Sequence, residues 1–139
     1  MHTAMSAAET GHTVIATLHT KGTVNAIARI IDAFPSTQQA QIRVQLSTVL
    51  RTVISQQLLP DKNGGMIPAC EIMQVNSAVR SMIRDNKNHQ IDNVIASGGS
   101  EGMISMDQSI ARLWQEGKIS QDTALHHAGK PEQLKRLMG

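Results

Sequence analysis

Aromatic side chains are almost absent from this 139-residue chain, which carries one phenylalanine, Phe34, one tryptophan, Trp114, and no tyrosine. The core must therefore be assembled from Ile, Leu, Val and Ala, together with eight Met. Leu, Met and Ala lose little side-chain freedom in a helix, so this composition favours helices. The scarcity of aromatic rings also removes the surfaces on which single-stranded nucleic acids stack, which disfavours a nucleic-acid partner.

Three further absences narrow the class of protein. Cys70 is the one cysteine, which excludes an internal disulfide and a four-cysteine zinc site. No apolar run approaches the roughly 20 residues that a membrane span needs, and the N-terminus shows no signal-peptide pattern. Neither sign of charge dominates, because 13 Lys and Arg stand against 11 Asp and Glu. We therefore expect a cytoplasmic protein whose pI of about 9.0 does not indicate nucleic-acid binding.

The first sixty residues alternate helical and extended patterns. Ala4–Thr10 is typical of the end of a helix that Gly11 stops. Thr13–Leu18 is short, β-branched and mostly apolar, which predicts a buried parallel strand. The other elements predicted here are a helix over Val24–Phe34, a capping box at Ser36–Gln39 that opens a helix from Ile42 onward, and a strand over Ile54–Leu59.

The pattern changes near residue 61, and the rest of the chain is mostly helical. Pro60–Gly65 is a strong turn signal, and Ile67–Val75 is predicted to return as the second strand of a hairpin. The predicted helices that follow cover Ala78–Asp85, capped by Asn76 or Ser77; Asn88–Ser97; a segment opened by the capping box Ser105–Gln108; a short segment from Ser120; and Pro131–Met138. The methionines Met82, Met103 and Met106 are expected to fill the core.

Two histidines bracket the first predicted strand. His12 and His19 are seven residues apart, so an extended chain separates them by roughly 23 Å and points them to opposite faces. A metal ion shared by both is therefore not expected. His19 follows the carboxyl end of the predicted strand, where open α/β sheets place their ligand crevice. On position alone, however, a histidine at a strand end is more often structural than catalytic.

Several segments resemble a known family. Ala7–Thr20 is similar to the histidine box of the type II and type IV secretion ATPases. Arg29–Leu46 is similar to the segment that follows this box in PilT-type pilus retraction ATPases. Ala78–Asp85, which reads Ala-Val-Arg-Ser-Met-Ile-Arg-Asp, resembles the Ala-Ile-Arg-Asn-Leu-Ile-Arg-Glu motif of the retraction branch. Extension motors of the superfamily commonly carry a four-cysteine zinc site, which the single cysteine excludes here.

The resemblance implies an α/β fold, namely a truncated RecA-like ATPase core followed by a mostly helical C-terminal region. Residues 1–60 would form the C-terminal part of the core, including the histidine box, and residues 61–139 the hairpin and helical region with the retraction motif. The intact protein would be a hexamer that binds ATP and Mg²⁺. It would reach the membrane only through partners, with the inner-membrane platform protein of the pilus as the implied one.

The resemblance also implies roles for particular residues. His19 and His12 correspond to the two box histidines; His19, with Thr20, would lie near the γ-phosphate, and His12 would support subunit or loop contacts. The retraction motif places Arg80, Ser81, Met82 and Arg84 at a partner surface, with Ser81-Met82 in place of the family's Asn-Leu. Arg80 and Arg84 are four residues apart and share one helix face, which also fits a merely solvated surface.

Two family motifs are missing from these 139 residues. The sequence contains no Gly-x-x-x-x-Gly-Lys-Ser/Thr loop to cradle phosphates and no acidic Walker B segment to hold Mg²⁺. We therefore expect no ATP turnover and no bound cofactor from this chain alone. The alternative is a stand-alone helical interaction or regulatory module that associates with a secretion or pilus ATPase ring.

Overall fold

The computed structural model describes all residues from 1 to 139, and the fold is α/β with a single two-stranded sheet. Helices account for most of the ordered backbone, as the composition predicts. In chain order the elements are α1 (His2–Glu9), α2 (Thr23–Asp32), α3 (Gln39–Val49), β1 (Thr52–Pro60), β2 (Met66–Gln74), α4 (Ser77–Arg84), α5 (Ile91–Ser97), α6 (Met106–Gln115), α7 (Gln121–His127) and α8 (Pro131–Met138). No helix is long and apolar enough to cross a membrane.

The hairpin confirms the strand pair predicted around the turn at Pro60–Gly65. β1 and β2 are antiparallel and pair along their whole length, from Thr52 opposite Gln74 to Pro60 opposite Met66. The Asp61 N–H donates to the Gly65 carbonyl (3.1 Å) and closes the turn. Gly65 has a φ of 81°, a conformation that glycine adopts without steric cost. The expected division near residue 61 thus falls in the turn between two paired strands.

One face of the hairpin covers two separate apolar cores. The first core lies among α1 to α5 and includes the β2 residue Met73. The second lies among α6 to α8 and takes Leu59 from β1 and Ala69 from β2. Between them, on the same face, stands a polar cross-strand pair, Ser55 and Glu71, which are 6% and 9% exposed. The hairpin is therefore the element that joins the two cores.

The buried residues confirm that the predicted helices and two of the three predicted core methionines form the interior. Ile27 and Ile31 of α2 are fully buried, and Met103 and Met106 are buried as core-filling residues. Met82 packs against the first core as a partly buried side chain. The other buried hydrophobic residues of the two cores are Met5, Phe34, Ile42, Leu46, Val79, Ile83, Ile91 and Ile95 in the first, and Ile110, Ala111, Leu113, Ile119, Ala124 and Leu134 in the second.

The predicted buried strand over Thr13–Leu18 is wrong. No regular secondary structure occurs between His12 and Thr20, and Ile15 is 91% exposed. The backbone from Thr13 to Thr20 makes no hydrogen bond to other backbone groups. β1 and β2 pair with each other, and Ile72 of β2 also forms a bridge with Ile104. A strand exists only where a neighbour supplies the ladder, so a β-prone sequence forms none when no other residue of these 139 pairs with it.

The capping box predicted at Ser36–Gln39 is also wrong, whereas the later caps are confirmed. α3 begins at Gln39 after Gln38, without a side-chain cap. The Gln39 side-chain amide donates instead to the Phe34 carbonyl (3.1 Å), and so satisfies the end of α2 rather than the start of α3. The confirmed caps are Asn76 at α4, the complete capping box Ser105–Gln108 at α6, and Ser120 at α7.

Candidate functional site

The histidine-box segment, residues 12–20, leaves the end of α1 and runs exposed to the start of α2. His12 contacts the turn that ends α1, where its Nδ1 lies 3.1 Å from Thr10 Oγ1. The same hydroxyl lies within hydrogen-bonding distance of the Ala7 carbonyl (2.9 Å) and the Ser6 carbonyl (3.2 Å) in the last turn of α1. This contact anchors the first box histidine to α1.

His19 is exposed and makes no hydrogen bond within the chain, so both faces of its imidazole are available. Thr20 is half-buried beside it, and Lys21 and Gly22 complete the passage into α2. Gly22 has φ 90° and ψ 147°, a backbone conformation that residues with a side chain rarely adopt. The angle at which the box segment enters α2 thus depends on the glycine at position 22.

The start of α2 has no cap of its own and is held by the hairpin. The Gly22 N–H donates to Ser55 Oγ (2.9 Å). The Thr23 N–H and Thr23 Oγ1–H both donate to Glu71 Oε1, each at 2.8 Å. The other oxygen, Glu71 Oε2, accepts the Met106 N–H at the start of α6 (3.3 Å). One buried carboxylate therefore receives donors from the first residues of two helices, where the helix dipoles also favour negative charge.

The retraction-motif residues lie on α4, whose start is fixed by Asn76. Arg84 is exposed and its Nε pairs with Asp85 Oδ1 at 3.0 Å, an interaction of little energetic weight at a solvated site. Arg80 is half-buried, and its Nε is shielded from solvent without an acceptor in the chain. Ser81 is half-buried as well. The helix thus presents two arginines in different environments.

The predicted site residues remain in two groups. His12, His19 and Thr20 share the box segment, and the motif residues share α4. No hydrogen bond or ion pair joins the first group to the second. Sequence reasoning did not single out Glu71, which bonds the start of α2 next to the box segment and the start of α6. The signal available was a lone carboxylate at an inward position of β2, between Ala69 and Met73.

A polar cleft of about 630 Å³ opens beside Glu71, between α5, the start of α6 and α8. Asp107 in its wall accepts the N–H groups of Gly129 (2.8 Å) and Lys130 (2.9 Å), and so fixes the link between α7 and α8. Partial burial, and then the negative charge of Glu71, raise the pKa of Asp92 above its usual value, with Lys130 opposing them. Three carboxylates and two cations therefore line the cleft, namely Glu71, Asp92, Asp107, Lys130 and Arg136.

These features define an α/β chain in which an exposed segment that bears two histidines lies beside a mostly helical region built on one hairpin. The model of the type II/IV secretion system protein family matches residues 1–99, so the chain belongs to that family. The predicted resemblance to PilT-type retraction ATPases is confirmed by individual relatives. This chain is 42% identical over 132 residues to a twitching motility protein of Neisseria gonorrhoeae, and the match covers 94% of this chain and 35% of that protein.

Two further comparisons agree. The chain is 42% identical over 129 residues to the "Type IV pilus retractation ATPase PilT" of Pseudomonas aeruginosa, which covers 93% of this chain and 38% of that protein. A crystal structure of the pilus retraction motor PilT with bound ADP superposes with a TM-score of 0.85 at 39% identity, over 97% of this chain and 38% of that one. The chain thus spans little more than a third of the length of the relatives it matches.

The likeness extends to a more distant ATPase at the level of fold. The structure of the Legionella pneumophila ATPase DotB matches with a TM-score of 0.72 at 21% identity, over 86% of this chain and 32% of that one. The arrangement of helices around the hairpin is therefore shared beyond the retraction branch.

Proposed function

We propose that this chain is the C-terminal part of a hexameric, ATP-driven motor that retracts type IV pili. The observation that carries the proposal is the superposition of nearly the whole chain on the retraction motor PilT at 39% identity. In the intact protein, the loop that cradles the phosphates of ATP and the carboxylate that holds Mg²⁺ would lie outside these residues, since neither motif occurs within them. Residues 1–60 would belong to the ATPase core and residues 61–139 to the region that acts on partners.

The roles proposed for the histidines follow from their environments. His19 and Thr20 would approach the nucleotide, because the His19 imidazole is free of partners within the chain and stands on a segment without backbone pairing. His12 would hold that segment against α1 through Thr10. Phosphoryl transfer depends on positioning and charge stabilisation, so an imidazole at the γ-phosphate would affect the rate more than the binding of nucleotide.

The role proposed for α4 is contact with another chain, either a neighbouring subunit or the platform protein of the pilus. Arg80 and, on α3, Arg43 each carry a shielded guanidinium nitrogen with no acceptor. A buried donor without an acceptor is costly, and an arginine fork pairs well with a carboxylate of a partner. Ser81 and Met82 would set the position of this surface, and Arg84 would lie at its rim.

The first test is calorimetric titration of Mg-ATP into this chain and into the full-length product of the native gene. Saturable binding by the longer protein alone is the expected result. Tight binding by the 139 residues would place a nucleotide site of another kind within them and overturn the proposal. A longer protein that neither binds nor hydrolyses ATP would favour the interaction-module alternative.

Substitutions in the full-length protein then separate the two groups of residues. His19→Ala should lower kcat by about 10-fold or more, the scale of one lost transition-state contact, with little change in nucleotide affinity. Equal loss of both quantities would contradict the assignment. Arg80→Ala should leave ATP hydrolysis intact and impair twitching, with Lys135→Ala on exposed α8 as the matched control. A variant without ATPase activity would show that Arg80 serves the fold or the ring instead.

A further inference from the structure

Glu71 occupies a position that neither core explains. It lies on the inward face of β2, between Met73 in the first core and Ala69 in the second, and is 9% exposed. A carboxylate in such a place is retained only if its desolvation is compensated. The three ion pairs of the chain all involve other, exposed residues, so no cation pairs with Glu71 directly.

The compensation comes from three hydrogen-bond donors on two helices. Oε1 receives both the N–H and the hydroxyl of Thr23, which is itself fully buried. Oε2 receives the N–H of Met106. The partners lie 48 and 35 residues away in sequence, so this one side chain ties together three distant stretches.

The neighbouring position on β1 completes the arrangement. Ser55, directly opposite Glu71, accepts the N–H of Gly22. The two first donors of α2 are thus satisfied by a cross-strand pair of the hairpin rather than by a local cap. Because Gly22 follows Thr20 by two residues, the direction in which the box segment meets α2 is fixed by this pair.

We propose that Glu71 is a positioning residue of the motor: its carboxylate holds the exit of the histidine-box segment in a fixed relation to the hairpin and to α6. The consequence for catalysis rests on the proposed function. The hydrogen bonds of Glu71 to Thr23 and Met106, which we call the joint, are a property of this chain. A movement of α6 relative to the hairpin acts, through Met106, on the same carboxylate that holds Thr23 at the end of the segment that bears His19.

The isosteric variant Glu71→Gln tests the joint. An amide offers one oxygen and one NH₂ group, so either Thr23 or Met106 must face a donor. In the 139-residue chain, hydrogen exchange of the Thr23 and Met106 amides should be slow, and at least one of them should exchange about 10- to 100-fold faster in Glu71→Gln. The control Glu132→Gln, at a side chain that is 81% exposed, should change neither amide.

The outcomes of the exchange experiment are distinct. Unchanged protection of both amides in Glu71→Gln would overturn the joint. If the variant does not fold, Thr23→Val provides a second route, because it removes only the hydroxyl donor to Oε1. In this variant the backbone amide at position 23 should exchange faster, while the Met106 amide stays protected. Equal effects at both amides would contradict the proposed division of the two oxygens.

The catalytic consequence is measured in the full-length protein. Glu71→Gln should lower kcat about 10-fold while KM for ATP changes less than about threefold, since it misplaces His19 without removing a nucleotide contact. A parallel loss in kcat and in the folded fraction, with normal turnover per folded molecule, would show a purely structural role. A wild-type protein without ATPase activity would refute the proposed function, and the exchange result would still decide the joint.

Discussion

The cap of α4 gives a stability prediction whose size follows from the contacts of one side chain. Asn76 Oδ1 accepts the Val79 N–H at 2.9 Å. Its Nδ2 donates to both carboxylate oxygens of Glu101 at 3.2 Å. The change Asn76→Ala removes all three interactions at once and leaves a backbone donor in the first turn of α4 without a protein partner.

The magnitude has two parts. Loss of an N-cap asparagine costs about 1 kcal/mol, within a range of about 0.5–2. The exposed bond to Glu101 adds less than about 0.5 kcal/mol, because solvent competes for both groups. We therefore expect Asn76→Ala to lower the free energy of unfolding by about 1–2 kcal/mol. For a urea slope of about 2 kcal/mol per M, the midpoint falls by roughly 0.5–1 M.

The assay is a urea titration monitored by far-UV circular dichroism, with Asn76→Ser as the matched control. Serine caps a helix about as well as asparagine but is too short to keep the amide bond to Glu101. The serine variant should therefore lose less than about 0.5 kcal/mol. If the alanine and serine variants were equally stable, the cap would not determine the stability of α4, and the reasoning would be refuted.

Two other substitutions follow from the same structure. Gly98→Ala should lower the free energy of unfolding in urea by about 1–3 kcal/mol, because the added Cβ would lie 2.9 Å from Met103 Sδ and 2.9 Å from the Val94 carbonyl oxygen. The control Gly99→Ala, whose Cβ would have no atom within 4 Å, should be nearly neutral. Asp92→Asn should stabilise the chain at pH 7 by less than about 1 kcal/mol. Since the folded pKa of Asp92 is raised, the native state binds its proton more tightly than the unfolded state does. The gain in stability should therefore vanish as the pH falls below 3.8, where the carboxyl is protonated in both states. A gain that grows on acidification would contradict the raised pKa.

The features that the sequence predicts well are those decided within a few residues. The caps at Asn76, Ser105 and Ser120 each bind a backbone group three positions away, so the sequence pattern contains both partners. The hairpin turn at Asp61–Gly65 is likewise local. The failed capping box shows the limit of the rule, because the Gln39 side chain donates to the Phe34 carbonyl instead of accepting the N–H of Ser36.

Features decided by distant partners are predicted poorly. A β-branched run such as Thr13–Leu18 indicates strand propensity, but only a neighbouring strand converts propensity into a ladder. The site shows the same division. The box histidines were identified by resemblance and stay predictions as to role, whereas Glu71 acts through partners at Thr23 and Met106 that no local pattern connects to it.

The same distant contacts predict how the chain unfolds. The expected division at residue 61 separates β1 from β2, yet the two strands pair with each other along their whole length. The hairpin contributes to both cores, and Glu71 bonds a helix of each. We therefore expect a single cooperative transition in urea.

The two cores can be followed separately during unfolding. Trp114 is the one tryptophan and packs against the second core, so its fluorescence reports that core, while circular dichroism reports all the helices. Coincident curves are the expected result. A fluorescence midpoint separated from the dichroism midpoint would mean that the hairpin does not couple the cores, and that α6 to α8 unfold as a unit of their own.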